Sequence, residues 1–258
     1  MTFTILGFLV GILVTISGIG GATITTPALL LLGVPPIIAV GTDLVFAFIT
    51  KLIGLSVHIK LGNVRWNLVR WLYVGGIPAC LISLYTIHLS CNNNVSCLKD
   101  TINIMVAILL LITAMLLFTG RKFLGKYMKN LQHNNTLKKI LLILIGIIVA
   151  SIIAITSVGS GSITDVFLLL TIPKISMLNV IGTSLAFSTP ITFIAGMGHL
   201  AMGNVALDIL WLLLLGSIPG ACIGAYCIRF TKEQFLTKFM AILFIMTSSM
   251  LLIEAFYK

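Results

Sequence analysis

The chain alternates between long apolar stretches and short polar connections. Stretches of about 20 apolar residues predict α-helices that cross a hydrocarbon core of roughly 30 Å. Such stretches cover residues 36–57, 67–89, 102–119, 138–156, 177–198, 207–228 and 237–256. Two further apolar regions, 3–33 and 157–173, are interrupted by glycines. The pattern predicts an all-α polytopic membrane protein in which the first element of each half is broken or re-entrant.

The two interrupted regions are copies of each other. The first copy is Ser17-Gly18-Ile19-Gly20-Gly21-Ala22-Thr23. The chain repeats it at an offset of 141 residues as Ser157-Val158-Gly159-Ser160-Gly161-Ser162-Ile163-Thr164. The same gapless offset aligns Gly41-Thr42 with Gly182-Thr183, His58 with His199, Gly62-Asn63-Val64 with Gly203-Asn204-Val205, and Ile77-Pro78 with Ile218-Pro219. These matches in one register indicate an internal duplication. We therefore expect a first membrane repeat (1–119), a basic linker (120–139) and a second membrane repeat (140–258).

Composition supports a membrane location. Hydrophobic residues make up 59% of the 258 residues and charged residues 9%, and the mean hydropathy is +1.18. The chain therefore lacks the polar surface of a soluble globule. The formal net charge of +10 does not indicate nucleic-acid binding, because the Lys and Arg residues lie in short loops between apolar stretches, which is a membrane-topology signal. We expect an integral protein of the bacterial plasma (inner) membrane.

The charge of the loops predicts the orientation of each half. The linker 120–139 carries six Lys or Arg residues and no acidic residue, so we expect it in the cytoplasm. The loop around Gly62 is basic and the loop 90–101 is nearly neutral, whereas the loop around Gly203 lacks Lys and Arg and the segment 229–238 is basic. Equivalent loops therefore face opposite sides, which predicts inverted repeats of about five membrane segments each. A single kinked pass at each break, which would give parallel repeats, is the alternative.

The paired breaks are the predicted substrate site. Broken helices leave backbone groups that lipid cannot hydrogen-bond, so they persist where protein or a water-filled cavity covers them. Paired breaks point to a transporter's midplane site, and the half-helix N-termini near Ala22 and Ile163 suit an anion. Glycines that only permit close helix packing are the alternative. The predicted substrate-binding residues are Gly18, Gly20, Gly21, Thr23, Thr42, Asp43, Gly159, Ser160, Gly161, Ser162, Thr183 and Ser184.

Three charged residues are candidates for a coupling or charge role: Asp43, Lys51 and Asp165. An acidic residue at membrane depth is a candidate proton carrier, and a lysine there attracts an anion or pairs with a carboxylate. Each residue has an alternative. Asp43 and Asp165 could cap helix N-termini, and the Lys51 side chain could extend to the membrane surface.

The histidines and cysteines predict no metal site, and we expect no cofactor. His58 and His199 lie near helix ends on opposite membrane faces, where a capping or interface role is expected. Cys91 and Cys97 share one loop, which is compatible with a disulfide or with free thiols. The chain has no nucleotide-binding loop of the Gly-x-x-x-x-Gly-Lys-Ser/Thr type, which argues against ATP-driven transport by this chain alone.

Two runs of small residues predict close helix packing. They are Gly75-Gly76-Ile77-Pro78-Ala79 and Gly216-Ser217-Ile218-Pro219-Gly220-Ala221. Because small residues let two helix backbones approach each other, we expect each run on a helix–helix interface.

The motifs resemble those of the TauE/SafE sulfite exporter family over nearly the whole chain. The matching motifs are Gly18-x-Gly20-Gly21, Gly41-Thr42, His58-x-x-x-Gly62-Asn63-Val64, Gly182-Thr183-Ser184, Gly198-His199, Gly203-Asn204-Val205 and Gly216-Ser217-Ile218-Pro219-Gly220. The chain departs from the family pattern at Ala22, Arg65 and Ala206 and at the serines of the second break. The resemblance implies a duplicated permease that moves sulfur oxyanions and organosulfonates, including sulfite, sulfoacetate and thiosulfate.

We interpret the chain as a secondary transporter that exports a small anion, such as sulfite, a related sulfur oxyanion or an organosulfonate. Its surroundings are the lipid bilayer, and protons are a candidate coupling ion. Two alternatives stay open. An intramembrane enzyme such as a lipid phosphatase would need reactive side chains clustered near one membrane face, and a passive anion channel would show flux that does not saturate. One chain contains both halves, so a monomer could suffice, and the sequence does not determine the oligomeric state.

Overall fold

A computed structural model describes most of the two repeats. The described residues are 1–17, 22–91, 102, 104–112, 115, 135–158, 161–172, 175–227, 242, 245, 248 and 249. The continuous helices in these ranges are α1 (Thr2–Ser17), α2 (Ala22–Leu31), α3 (Pro36–Lys60), α4 (Trp66–Cys91), α5 (Asn135–Thr156), α6 (Ser162–Thr171), α7 (Met177–Ala201) and α8 (Leu207–Cys227). Residues 104–112 are also helical. The prediction of an all-α protein is confirmed for this part of the chain.

The long helices coincide with the predicted membrane segments. Helices α3, α4, α5 and α7 are long and apolar enough to cross a membrane, by length and composition. Helix α8 occupies the predicted stretch 207–228, and the predicted segment 237–256 lies almost entirely outside the described residues. Large apolar side chains such as Ile82 of α4 and Ile148 of α5 are exposed. In a membrane protein such a surface contacts lipid.

The second glycine-rich region interrupts the helical structure, as predicted, whereas residues 18–21 of the first region lie outside the described residues. Helix α1 ends at Ser17 and α2 begins at Ala22, while α5 ends at Thr156 and α6 begins at Ser162. Helices α2 and α6 have 10 residues each, about 15 Å at 1.5 Å per residue. Each is therefore too short to cross a bilayer by itself.

The Gly-Asn-Val turns end α3 and α7 in the same way. Gly62 and Gly203 have φ angles of 68° and 74°, in the left-handed region that glycine adopts most readily. Asn63 N–H donates to the His58 carbonyl (3.0 Å), and Asn204 N–H donates to the His199 carbonyl (2.9 Å). This arrangement is a Schellman C-cap. The repeated sequence motif thus encodes a repeated helix end.

Reciprocal hydrogen bonds join the two repeats. The Thr42 hydroxyl, near the start of α3, accepts from the Ala206 N–H at 3.0 Å. The Thr183 hydroxyl, near the start of α7, accepts from the Arg65 N–H at 3.1 Å. Ala206 and Arg65 follow the two Gly-Asn-Val turns. The start of each long helix therefore touches the turn at the end of the other, and α3 and α7 pack antiparallel.

Gly41 and Gly182 permit these contacts. A side chain at Gly41 would collide with the Asn204 carbonyl oxygen, and a Cβ at Gly182 would lie 2.8 Å from the Asn63 carbonyl oxygen. Such a separation is shorter than van der Waals contact, so a larger residue would push the repeats apart. The repeated Gly-Thr pairs therefore build the interface between the repeats.

Helices α1 and α8 pack in parallel through facing Gly-x-x-x-Gly motifs. Each glycine lies against a backbone carbonyl of the partner helix, in the pairs Gly7 with Leu213, Gly11 with Ser217, Gly216 with Thr4 and Gly220 with Phe8. Residue numbers rise together along both helices, so the helices run in the same direction. The predicted small-residue face at residues 216–221 is confirmed as a helix–helix interface.

The same interface recurs between α4 and α5. Gly146 of α5 lies against the Leu72 carbonyl, and Gly75 of α4 lies against the Ile143 carbonyl. Gly146 corresponds to Gly7 when α5 is aligned with α1 at an offset of 139 residues. Gly75 corresponds to Gly216 when α4 is aligned with α8 at an offset of 141 residues. The change of offset by two residues explains why alignment at 141 alone misses the match of Gly7 with Gly146; Gly11 aligns with Ala150 at the offset of 139.

The first broken element is a hairpin of two helices. Thr26 of α2 hydrogen-bonds Asp43 of α3, so α2 folds back against α3. Helix α8 begins beside Thr42 at the start of α3 and packs on α3, and α1 packs parallel to α8. Helices α1, α8 and α3 therefore share one direction, and α2 runs opposite to them. This excludes a single kinked pass in the first half.

Candidate functional site

Polar side chains line equivalent faces of α3 and α7. Ser184, Ser188 and Thr192 of α7 follow each other at spacings of four residues and are buried. At the offset of 141 they correspond to Asp43, Ala47 and Lys51 of α3, of which Asp43 and Lys51 are buried. Because residues four apart lie on one side of a helix, each long helix carries a polar stripe along its buried side.

Asp43 connects three elements. Its Oδ2 accepts hydrogen bonds from the hydroxyls of Thr26 in α2 (2.6 Å) and Ser157 beside the second break (2.7 Å). The other oxygen, Oδ1, is buried without a hydrogen-bond partner in the described part of the chain. Helix α3 begins at Pro36, so Asp43 lies too far along the helix to cap its N-terminus. The capping alternative for this residue is wrong.

Ser157 adopts a strained backbone conformation. Its φ angle is 60°, the one positive φ of a non-glycine residue in the described ranges. This conformation ends α5 and is costly for an L-residue with a side chain. Strain of this kind is often found at functional sites, and here it accompanies the hydroxyl that bonds Asp43.

Lys51 lies in the protein interior. The residue is 4% exposed, and its Nζ has no hydrogen-bond partner among the described residues. It is close enough to Asp43 and Asp165 for Coulombic attraction to both. The alternative in which the side chain extends to the membrane surface is therefore wrong. Burying an ammonium group without a bonded partner is costly, which marks Lys51 as a functional candidate.

Asp165 lies in the first turn of α6. Gly161 is the N-cap residue and its carbonyl accepts from the Asp165 N–H at 2.9 Å. The Asp165 side chain interacts with Ser184 of α7. Its Oδ1 is buried and lacks a hydrogen bond to any described residue. Asp165 therefore approaches the polar stripe of α7 from the second break.

The ionisable groups follow one another along the interior. His199 of α7 lies beside Gly41 at the start of α3, followed by Asp43 and then Lys51 two helical turns on. Asp165 lies beyond Lys51 in the same direction. It adjoins Ser184, which lies towards the far end of α3 because α7 runs antiparallel to α3. His199 is buried, its Nε2 lies 3.0 Å from the Ala154 carbonyl, and its Nδ1 has no described partner.

Gly161 is the N-cap of α6, and the other predicted site residues fall into three groups. Asp43, Lys51, Asp165 and Ser184 lie along the interior described above. Thr42 and Thr183 are buried at the repeat interface, where their hydroxyls accept backbone hydrogen bonds. Outside the described residues lie Gly18, Gly20, Gly21, Gly159 and Ser160, together with the side chains of Thr23 and Ser162.

Sequence reasoning missed several polar residues of this interior. Thr26, Ser157, Ser188 and Thr192 were not predicted, and His199 was expected at an interface rather than buried. The spacing of four residues between Ser184, Ser188 and Thr192 could have revealed the stripe on α7. The contacts of Thr26 and Ser157 with Asp43 have no comparable signal, since they depend on how the breaks pack against α3.

Two cysteines have described side chains, Cys80 and Cys222. Cys80 is buried in α4, with its Sγ 3.9 Å from the Ile191 carbonyl, and Cys222 is exposed; both are free. Cys91 and Cys97, for which the sequence is compatible with a disulfide or with free thiols, lie outside the described side chains. The described residues contain no group of three or more His, Cys, Asp or Glu that could hold a metal ion.

Comparisons with known proteins agree on one family. Residues 3–251 match the sequence profile of the family described as Sulfite exporter TauE/SafE. The chain is 32% identical over 229 residues to the probable membrane transporter protein YjnA of Bacillus subtilis (strain 168), covering 88% of this chain and 89% of that protein. It is 26% identical over 226 residues to YdhB of the same organism, also named a probable membrane transporter protein, covering 87% and 89%. No solved structure was found to match this chain.

Proposed function

Since this chain belongs to the sulfite exporter TauE/SafE family of membrane transporters, we propose that it is a secondary transporter that exports a small anion. We propose sulfite, a related sulfur oxyanion or an organosulfonate as the substrate. The protein is an integral membrane protein, and the proposed location is the plasma (inner) membrane of a bacterium. Export is proposed from the description of the family.

The observation that carries this proposal is the buried ammonium group of Lys51. It is 4% exposed and its Nζ has no hydrogen-bond partner among the described residues. The buried hydroxyl groups of Ser184, Ser188 and Thr192 line the adjacent face of α7. An anion needs positive charge and hydrogen-bond donors at its binding site. Lys51 supplies the charge, and the hydroxyl of Ser188, which has no hydrogen-bond partner among the described residues, supplies a donor.

The N-terminus of α6 contributes to the same site in this proposal. Its N-cap, Gly161, forms no side-chain capping hydrogen bond. The first N–H groups of a helix lack partners within the helix and favour an anion. Because Asp165 of α6 interacts with Ser184, this helix end adjoins the stripe on α7. We propose that Gly161 and Ser162 contribute to anion binding from that position.

We propose that the two halves are inverted repeats. The antiparallel packing of α3 and α7, together with the parallel pairs α1 with α8 and α4 with α5, supports this arrangement. A half-turn about an axis perpendicular to α3 and α7 exchanges these two helices with each other. The same rotation exchanges the pair α1 and α8 with the pair α5 and α4. The proposed repeats are residues 1–119 and 140–258, joined by the cytoplasmic linker 120–139. In such transporters the substrate binds between the repeats at the membrane midplane.

Proton binding is the proposed coupling reaction. With Asp43 and Asp165 ionised and Lys51 protonated, the three side chains sum to a charge of −1, which repels an anion. Protonation of one carboxylate makes the sum zero and makes anion binding more favourable. We therefore propose that Asp43 or Asp165 takes up a proton when the anion binds. An intramembrane acidic residue is suited to this role.

The test is transport by purified protein in proteoliposomes. Labelled sulfite, thiosulfate and a short sulfonate are loaded inside, and efflux is measured for wild type, Lys51→Met and Lys60→Met. Lys60 is exposed at the end of α3, so it controls for the loss of one lysine from the same helix. We expect saturable flux in wild type and Lys60→Met, and a loss of at least about tenfold in Lys51→Met, as for removal of a charged hydrogen-bond donor.

Three results would contradict the proposal. Saturable flux retained by a folded Lys51→Met protein would place the anion site elsewhere. Wild-type flux that does not saturate would indicate a channel. Absence of flux for every anion, with protein that elutes as a single species, would remove the substrate assignment.

A further inference from the structure

The interior of the proposed transport site contains five buried polar atoms that have no hydrogen-bond partner in the described part of the chain. They are Asp43 Oδ1, Lys51 Nζ, Asp165 Oδ1, Ser188 Oγ and His199 Nδ1. Three of them belong to the charged side chains of Asp43, Lys51 and Asp165. Buried polar atoms of folded proteins almost always have partners, so a group of exceptions needs an explanation. The unpartnered atoms of Asp43, Lys51 and Asp165 lie in the same interior, since Lys51 is within Coulombic reach of both carboxyl groups.

The three atoms have complementary hydrogen-bonding roles. A lysine ammonium group donates three hydrogen bonds and accepts none, whereas an ionised carboxylate only accepts. Lys51 could therefore bond directly to Asp43 or Asp165, but it bonds to neither in the structure. Hydrogen bonds from Thr26 and Ser157 hold Asp43 through its other oxygen, Oδ2. A ligand that bridges the three atoms must accept from Lys51 and donate to a carboxylate.

This requirement separates two classes of anion. A fully deprotonated oxyanion accepts hydrogen bonds but donates none. It could pair with Lys51 and with a carboxyl group that has bound a proton, but it would leave the carboxylate that stays ionised unpaired and repelled. An anion that also carries an O–H or N–H group would bond Lys51 at its charged end and Asp43 or Asp165 at its donor. Burying unpaired carboxylate oxygens is costly, so the second class binds better.

We propose that the substrate of this site is a small oxyanion that carries its own hydrogen-bond donor. The class includes a singly protonated oxyanion such as hydrogen sulfite and a short sulfonate with a hydroxyl or ammonium group. Lys51 binds the anionic oxygens, and the free Oδ1 of Asp43 or Asp165 accepts from the donor. This inference rests on the proposed transport function, because it specifies the substrate of the same site.

The test compares ligands that differ at a single group. Binding of ethanesulfonate, 2-hydroxyethanesulfonate and 2-aminoethanesulfonate to the purified full chain in detergent is measured by isothermal titration calorimetry. These sulfonates share one anionic group, and only the second and third carry a donor at carbon 2. We expect both to bind at least about tenfold more tightly than ethanesulfonate, the effect of one hydrogen bond to a charged group. Equal affinities across the series in wild-type protein would overturn the proposal.

Two variants test which residues bind the donor group and the anionic group of the ligand. The double substitution Asp43→Asn/Asp165→Asn should remove the preference for donor-bearing sulfonates, and Lys51→Met should weaken all three ligands. Asp208→Asn, in the exposed first turn of α8, is the matched control and should keep the preference. A preference for donor-bearing sulfonates that survives in the folded double variant would contradict the role of the carboxylates. If that variant does not fold, the comparison of the three sulfonates with wild-type protein decides the proposal.

The outcome can be separated from that of the transport function. If none of the sulfonates binds while labelled sulfite is transported with saturation, the transport function stands and the assignment of donor-bearing organic sulfonates fails. If the donor-bearing sulfonates bind selectively but no anion is transported, the ligand class stands and the transporter function fails.

Discussion

At the scale of single residues, the carboxyl group of Asp43 has both a structural and a chemical role. One oxygen holds Thr26 of α2 and Ser157 beside the second break, while the other has no described partner. Asparagine has nearly the same shape and retains an oxygen acceptor, but carries no charge. Asp43→Asn therefore tests the charge of this residue with little effect on packing.

We predict that Asp43→Asn/Asp165→Asn abolishes the effect of a pH gradient on anion flux. Neither side chain can then bind or release a proton, and the remaining ionisable groups of this interior in the described ranges are Lys51 and His199. The measurement is flux into proteoliposomes with and without a pH gradient, with Asp208→Asn as the control. An unchanged gradient effect in the double variant would eliminate coupling through these two residues.

We also predict that Ser157→Gly retains folding but weakens the hold on Asp43. Glycine adopts the φ of 60° without strain, so the main loss is one hydrogen bond to a carboxylate, about 1.5–3 kcal/mol. Partial relief of backbone strain offsets part of that loss. Thermal unfolding of Ser157→Gly and Ser157→Ala measures the two contributions, since only alanine keeps the strain. A melting temperature of Ser157→Ala above that of Ser157→Gly would contradict this account.

At the scale of elements, small residues determine how the helices pair. Glycines of α1 and α8 lie against each other's backbones, and the same arrangement joins α4 to α5. Within a bilayer, association of helices depends on close packing rather than on the exclusion of water. The apolar stretches therefore determine which segments are helical, and the glycines determine which helices meet.

Gly216→Ala should destabilise the protein, whereas Gly54→Ala should not. A Cβ at position 216 would collide with the Thr4 carbonyl, but at position 54 it would lie 3.5 Å from Leu185 Cδ1, an ordinary contact. Overpacking costs about 1–3 kcal/mol, while replacing a mid-helix glycine by alanine stabilises by about 0.5–1 kcal/mol. Thermal unfolding in detergent measures both. Equal melting temperatures for the two variants would contradict the proposed packing of α1 on α8.

At the scale of the whole molecule, the two repeats are built around the antiparallel pair α3 and α7. The turns that end these helices lie at opposite ends of the pair, because each touches the start of the other helix. If α3 and α7 cross the membrane, the Gly62 and Gly203 turns face opposite sides. The basic charge around Gly62 then places that turn in the cytoplasm.

This topology predicts which cysteine is labelled from outside the cell. In a cysteine-free background, Lys60→Cys and Ala201→Cys are compared; these exposed residues are equivalent at the offset of 141. A membrane-impermeant maleimide should label Ala201→Cys in intact cells and Lys60→Cys only in inverted vesicles. Labelling of both from the same side would contradict the inverted repeat.

Several features followed from the sequence because they depend on local composition and spacing. Apolar stretches predicted α3, α4, α5 and α7 within a few residues of their ends, since their length and hydropathy are local properties. The second glycine cluster predicted the helix break after Thr156. The offset of 141 predicted equivalent turns at Gly62 and Gly203, and the structure gives both the same hydrogen bonds.

By itself the sequence determined that this is a duplicated, all-α membrane protein with paired breaks and several charged residues in apolar surroundings. Only the tertiary structure decided which polar groups meet. Thr42 and Thr183 hold the repeat interface, whereas Asp43, Lys51 and Asp165 share one interior. The physical reason is that these contacts join distant positions, such as Asp43 and Ser157, 114 residues apart, and they form only once the two repeats pack against each other.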